Sequence, residues 1–321
     1  MKGGGVNMTP SDRLDFQKIF IKENLQTNFF LEPNMFLAAE FIDQFHENGY
    51  VVIPDLLTGE ELSHFQLIVR NAVRIRKQKD KRSLAEKSSY EQSFTQCMNL
   101  WEDFPDVRPL TFHPRVAQAA AALIGADAVR LWHDQALFKQ AGGRITDTHQ
   151  DLPYWPLSET DALTAWIPFD GSSRDSGCMG FIPGSHRIGV RKLVNIFRAG
   201  SEDLDEQAKD MRISEPVYVE VPRGSVSFHH GLTAHNAKPN NSDKPREVHT
   251  MIFFRDGMTR NEAGQHYCVD RVGIKPGDPV QSDATPIAWP RPDGDLPAGP
   301  DPLILTQALK DSGAFPVTGL T

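Results

Sequence analysis

Cysteine is scarce. Cys97, Cys178 and Cys268 are odd in number and widely separated, with no CxxC pair, so neither a disulfide framework nor a zinc knuckle is expected and a reducing cytoplasm is the compartment that fits. Long apolar runs are also missing. The longest alanine-rich stretch, Val116 to Ile124, falls far short of the roughly 20 residues that cross a bilayer, so no membrane partner is expected. Basic residues do not dominate: 34 Lys and Arg stand against 42 Asp and Glu, for a formal net charge of -8, which disfavours nucleic acid as a partner. No GxGxxG or GxxxxGK follows a candidate strand, which removes the dinucleotide and P-loop classes. No internal repeat is present. The first eight residues hold no apolar stretch of signal-peptide length, and they read as a lead-in to a chain that is not secreted.

What the chain does hold is an ordered change of texture. Ala38, Phe41, Ile42 and Phe45 recur at helical spacing before Asn48-Gly49, which predicts an amphipathic helix closed by a left-handed cap. Tyr50 to Ile53 is a short strand stopped by Pro54. Thr58 with Glu61 forms a capping box, and Leu62, Phe65, Val69, Ala72 and Val73 continue one apolar face, so a long helix starts at Thr58. Its far end runs into the one strongly basic stretch, Arg70 to Arg82, expected to be a solvated helix face. Pro114 opens another helix, Arg115 to Ile124, closed by Gly125.

From Val129 the chain turns to short apolar or alternating segments separated by Gly, Pro, Asp and Ser. Residues 130–139, 148–155, 163–169, 178–182, 217–221, 226–228, 233–237 and 248–254 are the candidate strands. Such a series predicts a mainly β protein with flanking helices around a double-stranded β-helix, the jelly-roll core. The expected division is a lead-in over 1–34, then a single domain over 35–273, then a Pro/Gly-rich, irregular arm over 274–321. Within the domain the helical part reaches about residue 128, the core covers 129–256, and a charged insertion over 184–215 interrupts it. Short helical stretches are expected at Ser201 to Asp210 and at Pro302 to Lys310.

Chemistry concentrates around His149-Gln150-Asp151. A His and a carboxylate two residues apart on an extended strand share a face, so one ion can take both. A second imidazole from a distant strand completes two nitrogens and one oxygen on one side of a metal, the facial set that suits non-haem Fe(II) and leaves positions open. HxD alone is frequent by chance, but here the Gly142-Gly143-Arg144 loop precedes it and Tyr154-Trp155 follow where aromatic rings wall a pocket. His229, His230 and His235 compete for the distal place. His235 opens a strand-like segment after Gly231, and a hairpin through Asn240 to Asp243 would return Arg246 beside it. Arg246 offers a planar, two-pronged cation to a dicarboxylic co-substrate. The plainer reading is a surface ion pair with Glu247 or Asp243, worth little. His230 is expected to hold a ligand or the co-substrate in place.

The flanking segments extend the pattern: Phe45 to Val52, Asp134-Gln135-Ala136-Leu137-Phe138-Lys139, His149 to Trp155, Ala165-Trp166-Ile167-Pro168, Gly177 to His186, and Phe228-His229-His230 leading to His235. In that order, from roughly Phe41 to Asp256, they resemble the phytanoyl-CoA dioxygenase-like Fe(II)/2-oxoglutarate oxygenases, whose core is cupin-like. The resemblance implies iron held by His149, Asp151 and His235, 2-oxoglutarate paired with Arg246 and flanked by Gln135 and His230, O2 as oxidant, and a small-molecule substrate in a pocket of Tyr154, Trp155 and Trp166. Core aromatics are the equal alternative for those three. Where relatives often place Ser two residues after the distal His, this chain has Asn236 and then Ala237, so that contact to the co-substrate must come from elsewhere. A carboxylate is kept at Asp151, which argues for hydroxylation over halogenation. The implied reaction converts 2-oxoglutarate to succinate and CO2 while an aliphatic C–H bond is hydroxylated, with desaturation or ring closure as variants among relatives. Two other readings stand beside it: a cupin-like metal enzyme that does without 2-oxoglutarate, and a binding protein that has kept only the fold. No residue pattern specifies the substrate, be it acyl-CoA or natural product, or the oligomeric state.

Overall fold

The computed structural model describes residues 37–78, 80–83, 86–191, 209–211, 213–291 and 295–300. Helix α1 (Ala39–Asn48) ends on Gly49 at φ 80°, whose N–H reaches Phe45 O at 2.7 Å. A Cβ at Gly49 would collide with the side chains of His186 and Thr233, so the cap glycine also lets the turn dock closely against the segment before His235. Helix α2 (Gly59–Lys77) starts with both capping-box bonds, Glu61 N to Thr58 Oγ1 at 3.2 Å and Thr58 N to Glu61 Oε2 at 2.7 Å. It buries Leu62, Phe65, Val69, Ala72 and Val73 as their spacing requires. Helix α3 (Pro114–Ile124) carries proline in its first turn and closes at Gly125, φ 64°.

Each expected strand segment contributes a strand, shortened in places, and the strands divide between two antiparallel sheets. The larger takes β3 (Val129–Lys139), β5 (Ala162–Pro168), β8 (Val226–His230) and β10 (Val248–Arg255), and the smaller takes β4 (Thr146–His149), β6 (Met179–Phe181), β7 (Val217–Val219) and β9 (His235–Ala237). Three further strands, β1 (Tyr50–Ile53), β2 (Phe94–Met98) and β11 (Ile287–Trp289), extend the larger sheet to the order β1-β8-β5-β10-β3-β11, with β2 also paired to β3. The smaller sheet runs β4-β9-β6-β7. Every residue of β5 is buried, because α3 packs on its outer side and the inner side faces the other sheet. Strands enclosed on both faces lose polar alternation, which is why Ala162 to Pro168 reads as a nearly continuous apolar run.

Several expectations change. The segment 148–155 is not one strand: β4 stops at His149, Asp151 takes helical angles (φ -79°, ψ -43°), and a 3-10 turn covers Leu152–Tyr154. Pro153 has no N–H for a ladder, while Leu152 N finds Gly231 O at 2.8 Å. Residues 235–246 do not form a hairpin, because β9 and β10 lie in different sheets. The crossing is pinned by Asn240, whose amide donates to Lys139 O and Lys244 O at 3.1 and 2.8 Å. Arg246 then exchanges backbone bonds with Lys139 at 3.0 and 2.8 Å. The arm after 274 is not irregular throughout, since β11 pairs with β3. The lead-in 1–34, the helix expected at Pro302 to Lys310 and most of that at Ser201 to Asp210 lie outside the described residues. Among the described residues no helix is long and apolar enough to cross a membrane.

Helix α4 (Tyr267–Asp270) is held from several sides. Arg271 forks onto Glu102 at 2.7 and 2.5 Å and lies 3.9 Å from the centre of the Tyr267 ring. Arg260 reaches Asp270 at 2.6 Å, and Cys268 Sγ donates to Trp132 O at 3.1 Å. With Arg271 fully buried and Glu102 nearly so, removing one partner strands a charge. Glu102→Ala is therefore expected to lower stability by roughly 3 to 5 kcal/mol in urea unfolding. The double variant Glu102→Leu/Arg271→Met, which removes both charges, is expected to lose distinctly less.

Candidate active site

Strands β4 and β9 pair with His149 directly opposite His235, which brings the two ring centres to 4.2 Å. Each ring is fixed from behind in the same way. His149 Nδ1 lies 2.8 Å from Asp147 O and His235 Nδ1 lies 2.9 Å from Thr233 O. A carbonyl only accepts, so each Nδ1 carries the proton and each Nε2 keeps its lone pair. Asp151 Oδ1 sits 3.7 Å from both Nε2 atoms. Its other oxygen is taken: Thr164 Oγ1 donates to Oδ2 at 2.8 Å and His229 Nε2 lies 3.1 Å from it. One carboxylate oxygen is thus tethered and the other is turned toward the imidazoles. The helical turn at Asp151, rather than strand periodicity, achieves this.

The ligating atoms of His149, Asp151 and His235 all lie within 4.8 Å of one another. Burial drives the protonation of His235 well below its ordinary range and lowers that of His149. Burial alone would raise the Asp151 carboxyl, but His235, His229 and His149 around it hold it far below the usual carboxylate range. Two neutral imidazoles and one anion, preset by hydrogen bonds behind them, fit a divalent iron ion bound on one side.

Arg246 shares the triad's cavity, of about 1840 Å³. It is buried, it donates through Nη1 to Gly177 O, and its guanidinium lies 5.0 Å from the centre of the Trp166 ring. No carboxylate among the described residues pairs with it, and its Nε has no hydrogen-bond partner. Glu247, the alternative partner, instead binds Arg70 at 2.6 Å and Gln66 at 3.1 Å. Burial pulls Arg246 down to about 10, so it keeps its charge at neutral pH. A buried cation without an anion, in the cavity that holds the triad, fits the far carboxylate of 2-oxoglutarate. Gln135, Thr250, Trp166 and Asn236 line the space as well. Gln135 Oε1 accepts from Gln96 at 2.6 Å, and Asn236 donates to Thr148 Oγ1 at 3.3 Å.

Tyr154 meets the His149 ring edge to face at 6.4 Å. Trp155 lines the cavity and belongs to an apolar cluster with Leu152, Leu157 and Ile252, so wall and core are the same residue. His230 is not brought to the site. Thr164 pairs with His229 across β5 and β8, whereas His230 pairs with Leu163 on the opposite face. There its Nδ1 accepts from Leu232 N at 3.0 Å, and its ring lies 6.3 Å from Phe45. His229, in the sequence only a candidate distal ligand, instead tethers Asp151, and Thr164 is not singled out by sequence reading at all; the period-two facing of paired strands is the signal that finds their role. The basic run is solvated as expected, and Arg74, Lys77, Lys81 and Arg82 line the cavity as well, although Arg82 is bound by Asp80 and Glu91.

The family model described as Phytanoyl-CoA dioxygenase (PhyH) matches residues 45–248. A methylphosphonate hydroxylase of Gimesia maris is 24% identical over 254 residues, covering 74% of this chain and 88% of that protein. A phytanoyl-CoA dioxygenase domain-containing protein 1 homolog of Caenorhabditis briggsae is 28% identical over 162 residues, 46% of this chain. The match spans about half the length of that relative, 54%. Among solved structures, the non-heme alpha ketoglutarate dependent carbocyclase SnoK from nogalamycin biosynthesis superposes with a TM-score of 0.65 at 29% identity, over 78% of this chain and 96% of that one.

Removing the tether on Asp151 is expected to loosen the metal. His229→Phe and Thr164→Val should each weaken Fe(II) or Co(II) binding by roughly 10- to 100-fold in a competition titration. Acid should destabilise the fold before the carboxylates titrate. Burial pushes His133 down to about 4, below its unfolded value, so its stabilising effect is complete above about pH 6.5 and is lost as pH falls toward 4. By pH 5 this one residue is expected to cost about 2 kcal/mol in chemical unfolding.

Proposed function

Because the chain belongs to the phytanoyl-CoA dioxygenase (PhyH) family, we propose that it is an Fe(II)- and 2-oxoglutarate-dependent dioxygenase that hydroxylates an aliphatic C–H bond of a small molecule. The observation that carries this reading is the pairing, in one cavity, of the His149, Asp151 and His235 donor set with Arg246, a buried guanidinium lacking an acidic partner. In this reading His149, Asp151 and His235 hold the iron, and Asp151 does so through Oδ1 because Oδ2 is engaged by Thr164 and His229. Arg246 binds the far carboxylate of 2-oxoglutarate by a charge-assisted pair, over the face of Trp166. Gln135 and Thr250 flank the length of that molecule. Iron with 2-oxoglutarate and O2 supplies the oxidising chemistry, with succinate and CO2 as co-products. The chain's own contribution is position and dryness. Tyr154, Trp155 and Trp166 wall the site against water, and the fixed rings of His149 and His235 keep their lone pairs aimed without reorganisation.

A cupin-like enzyme that does without 2-oxoglutarate would leave the Arg246 charge buried with nothing to answer it, at considerable cost. A purely binding protein would have no need of two imidazoles pre-set for a metal. Asp151→Ala is expected to abolish iron-dependent succinate release. Arg246→Ala is expected to raise the 2-oxoglutarate requirement roughly 30-fold or more. An unchanged requirement in Arg246→Ala, or oxygen consumption that persists without 2-oxoglutarate, would overturn the proposal in favour of the cupin-like alternative.

A further inference from the structure

The cavity extends sideways from the triad across the larger sheet. Strand register fixes the order of its wall. His133, Ile252, Thr164 and His229 are successive partners across β3, β10, β5 and β8, and all four line the cavity. Thr164 and His229 grip Asp151 at one end of this row, and His133 stands at the other, two strands or roughly 10 Å from Thr164. Along β3 the opposite direction leads through Gln135 and Leu137 to Lys139, the backbone partner of Arg246. His133 therefore lies six residues, roughly 20 Å, from the co-substrate end.

At this far end His133 meets His266, which also lines the cavity. The rings are nearly parallel, at 13° with centres 6.2 Å apart. The pairing of β3 with β10 slips by one residue between Ile252 and Phe253, a bulge at Trp132. Adjacent strand residues ordinarily point to opposite faces, and a bulge re-aims them. Here Trp132 and His133 both reach His266, the first at 4.7 Å. His266 is equally built in: its Nδ1 accepts from Cys268 N at 3.2 Å, so its Nε2 carries the proton and is a donor. Among the described residues no hydrogen bond leaves that Nε2, and His133 Nδ1 is buried without a partner, although the His133 ring also meets the backbone of Asp134. Two ion pairs, Arg271 with Glu102 and Arg260 with Asp270, hold the turn that presents His266. Tyr154, Trp155, Ile252 and Tyr267 also line the cavity, together with the polar side chains of Asn99 and Gln265.

We infer that His133 and His266 are the substrate-orienting pair of this cavity, taking a neutral oxygen acceptor, a carbonyl or hydroxyl, on an otherwise apolar substrate and setting which carbon faces the triad. This rests on the oxygenase reading and names its substrate class. Burial keeps both imidazoles uncharged at neutral pH, so they have no cation to offer a carboxylate or phosphate. The span from the pair to the triad asks for a substrate of bicyclic size or larger, or a chain of similar length. His133 and His266 are positioning residues: they hold substrate and do not touch the reacting carbon.

The test is anaerobic calorimetry on the full chain loaded with Fe(II) and 2-oxoglutarate, with two probe sets: 2-decalone, decalin and decalin-2-carboxylate, and androstan-3-one, androstane and androstane-3-carboxylate. The wild type is expected to bind the better-fitting ketone about tenfold more tightly than its hydrocarbon and its carboxylate. His133→Leu and His266→Phe should bring the ketone-to-hydrocarbon ratio near one, while His266→Gln, which keeps a donor, should retain part of it. A wild-type ratio near one, a preference for the carboxylate, which would move recognition to the basic mouth, or a ratio unmoved by the variants would overturn the inference. Affinity for 2-oxoglutarate, read in the loading titration, tests the oxygenase reading separately. A His266-dependent ketone preference in a protein that fails to bind 2-oxoglutarate would overturn that reading and leave this one standing.

Discussion

The two oxygens of Asp151 have different lives. Oδ2 is tied to Thr164 and His229 on the larger sheet, while Oδ1 faces two imidazoles carried by the smaller sheet. The carboxylate is therefore the point at which the sheets meet chemically as well as sterically. A buried carboxylate without these partners would be driven to protonate, and a protonated Asp151 would offer the centre no charge. The cross-strand pair of His149 and His235, locked by two backbone carbonyls, completes the donor set.

The same enclosure that makes these groups effective makes them expensive. Arg246 and Lys139 are buried side by side with no carboxylate among the described residues paired to either, and burial together with Arg246 pushes Lys139 down to about 6. Lys139 eases its position by donating to Lys238 O at 2.5 Å and resting 5.1 Å from the Phe94 ring. Among the described residues Arg246 has Gly177 O and the face of Trp166. An anion in the cavity would relieve the larger of the two debts, so ligand binding and local stability are coupled at this end of the barrel.

Much of this was legible in the chain. Capping residues and cap glycines located α1, α2 and α3, and turn residues after Val129 separated the segments that became the two sheets. His149, Asp151, His235 and Arg246 were readable because their residue types are unusual together and the flanking segments come in family order. What could not be read depended on knowing which strand lies beside which. His229 and His230 are chemically identical neighbours, and only the pairing of β8 with β5 tells which of them faces Asp151. The strand predicted through Trp155 ended early because Pro153 and the bond from Leu152 to Gly231 O override local alternation. β2 and β11 were missed because Phe94 to Met98 and Ile287 to Trp289 are short and stand among polar or proline-rich neighbours, with a stability that comes from β3 rather than from themselves.

The slip in register at Trp132 has a consequence for how this scaffold can vary. A lone added residue is ordinarily a defect in a ladder, yet this one lets two neighbouring rings meet His266, His133 from the chamber and Trp132 from the core behind it, while Gln135, Leu137 and Lys139 keep their alternation. Removing that extra residue would restore strict alternation and turn one of the two rings away from His266, so the remote wall of the chamber hangs on a single unpaired position in β3.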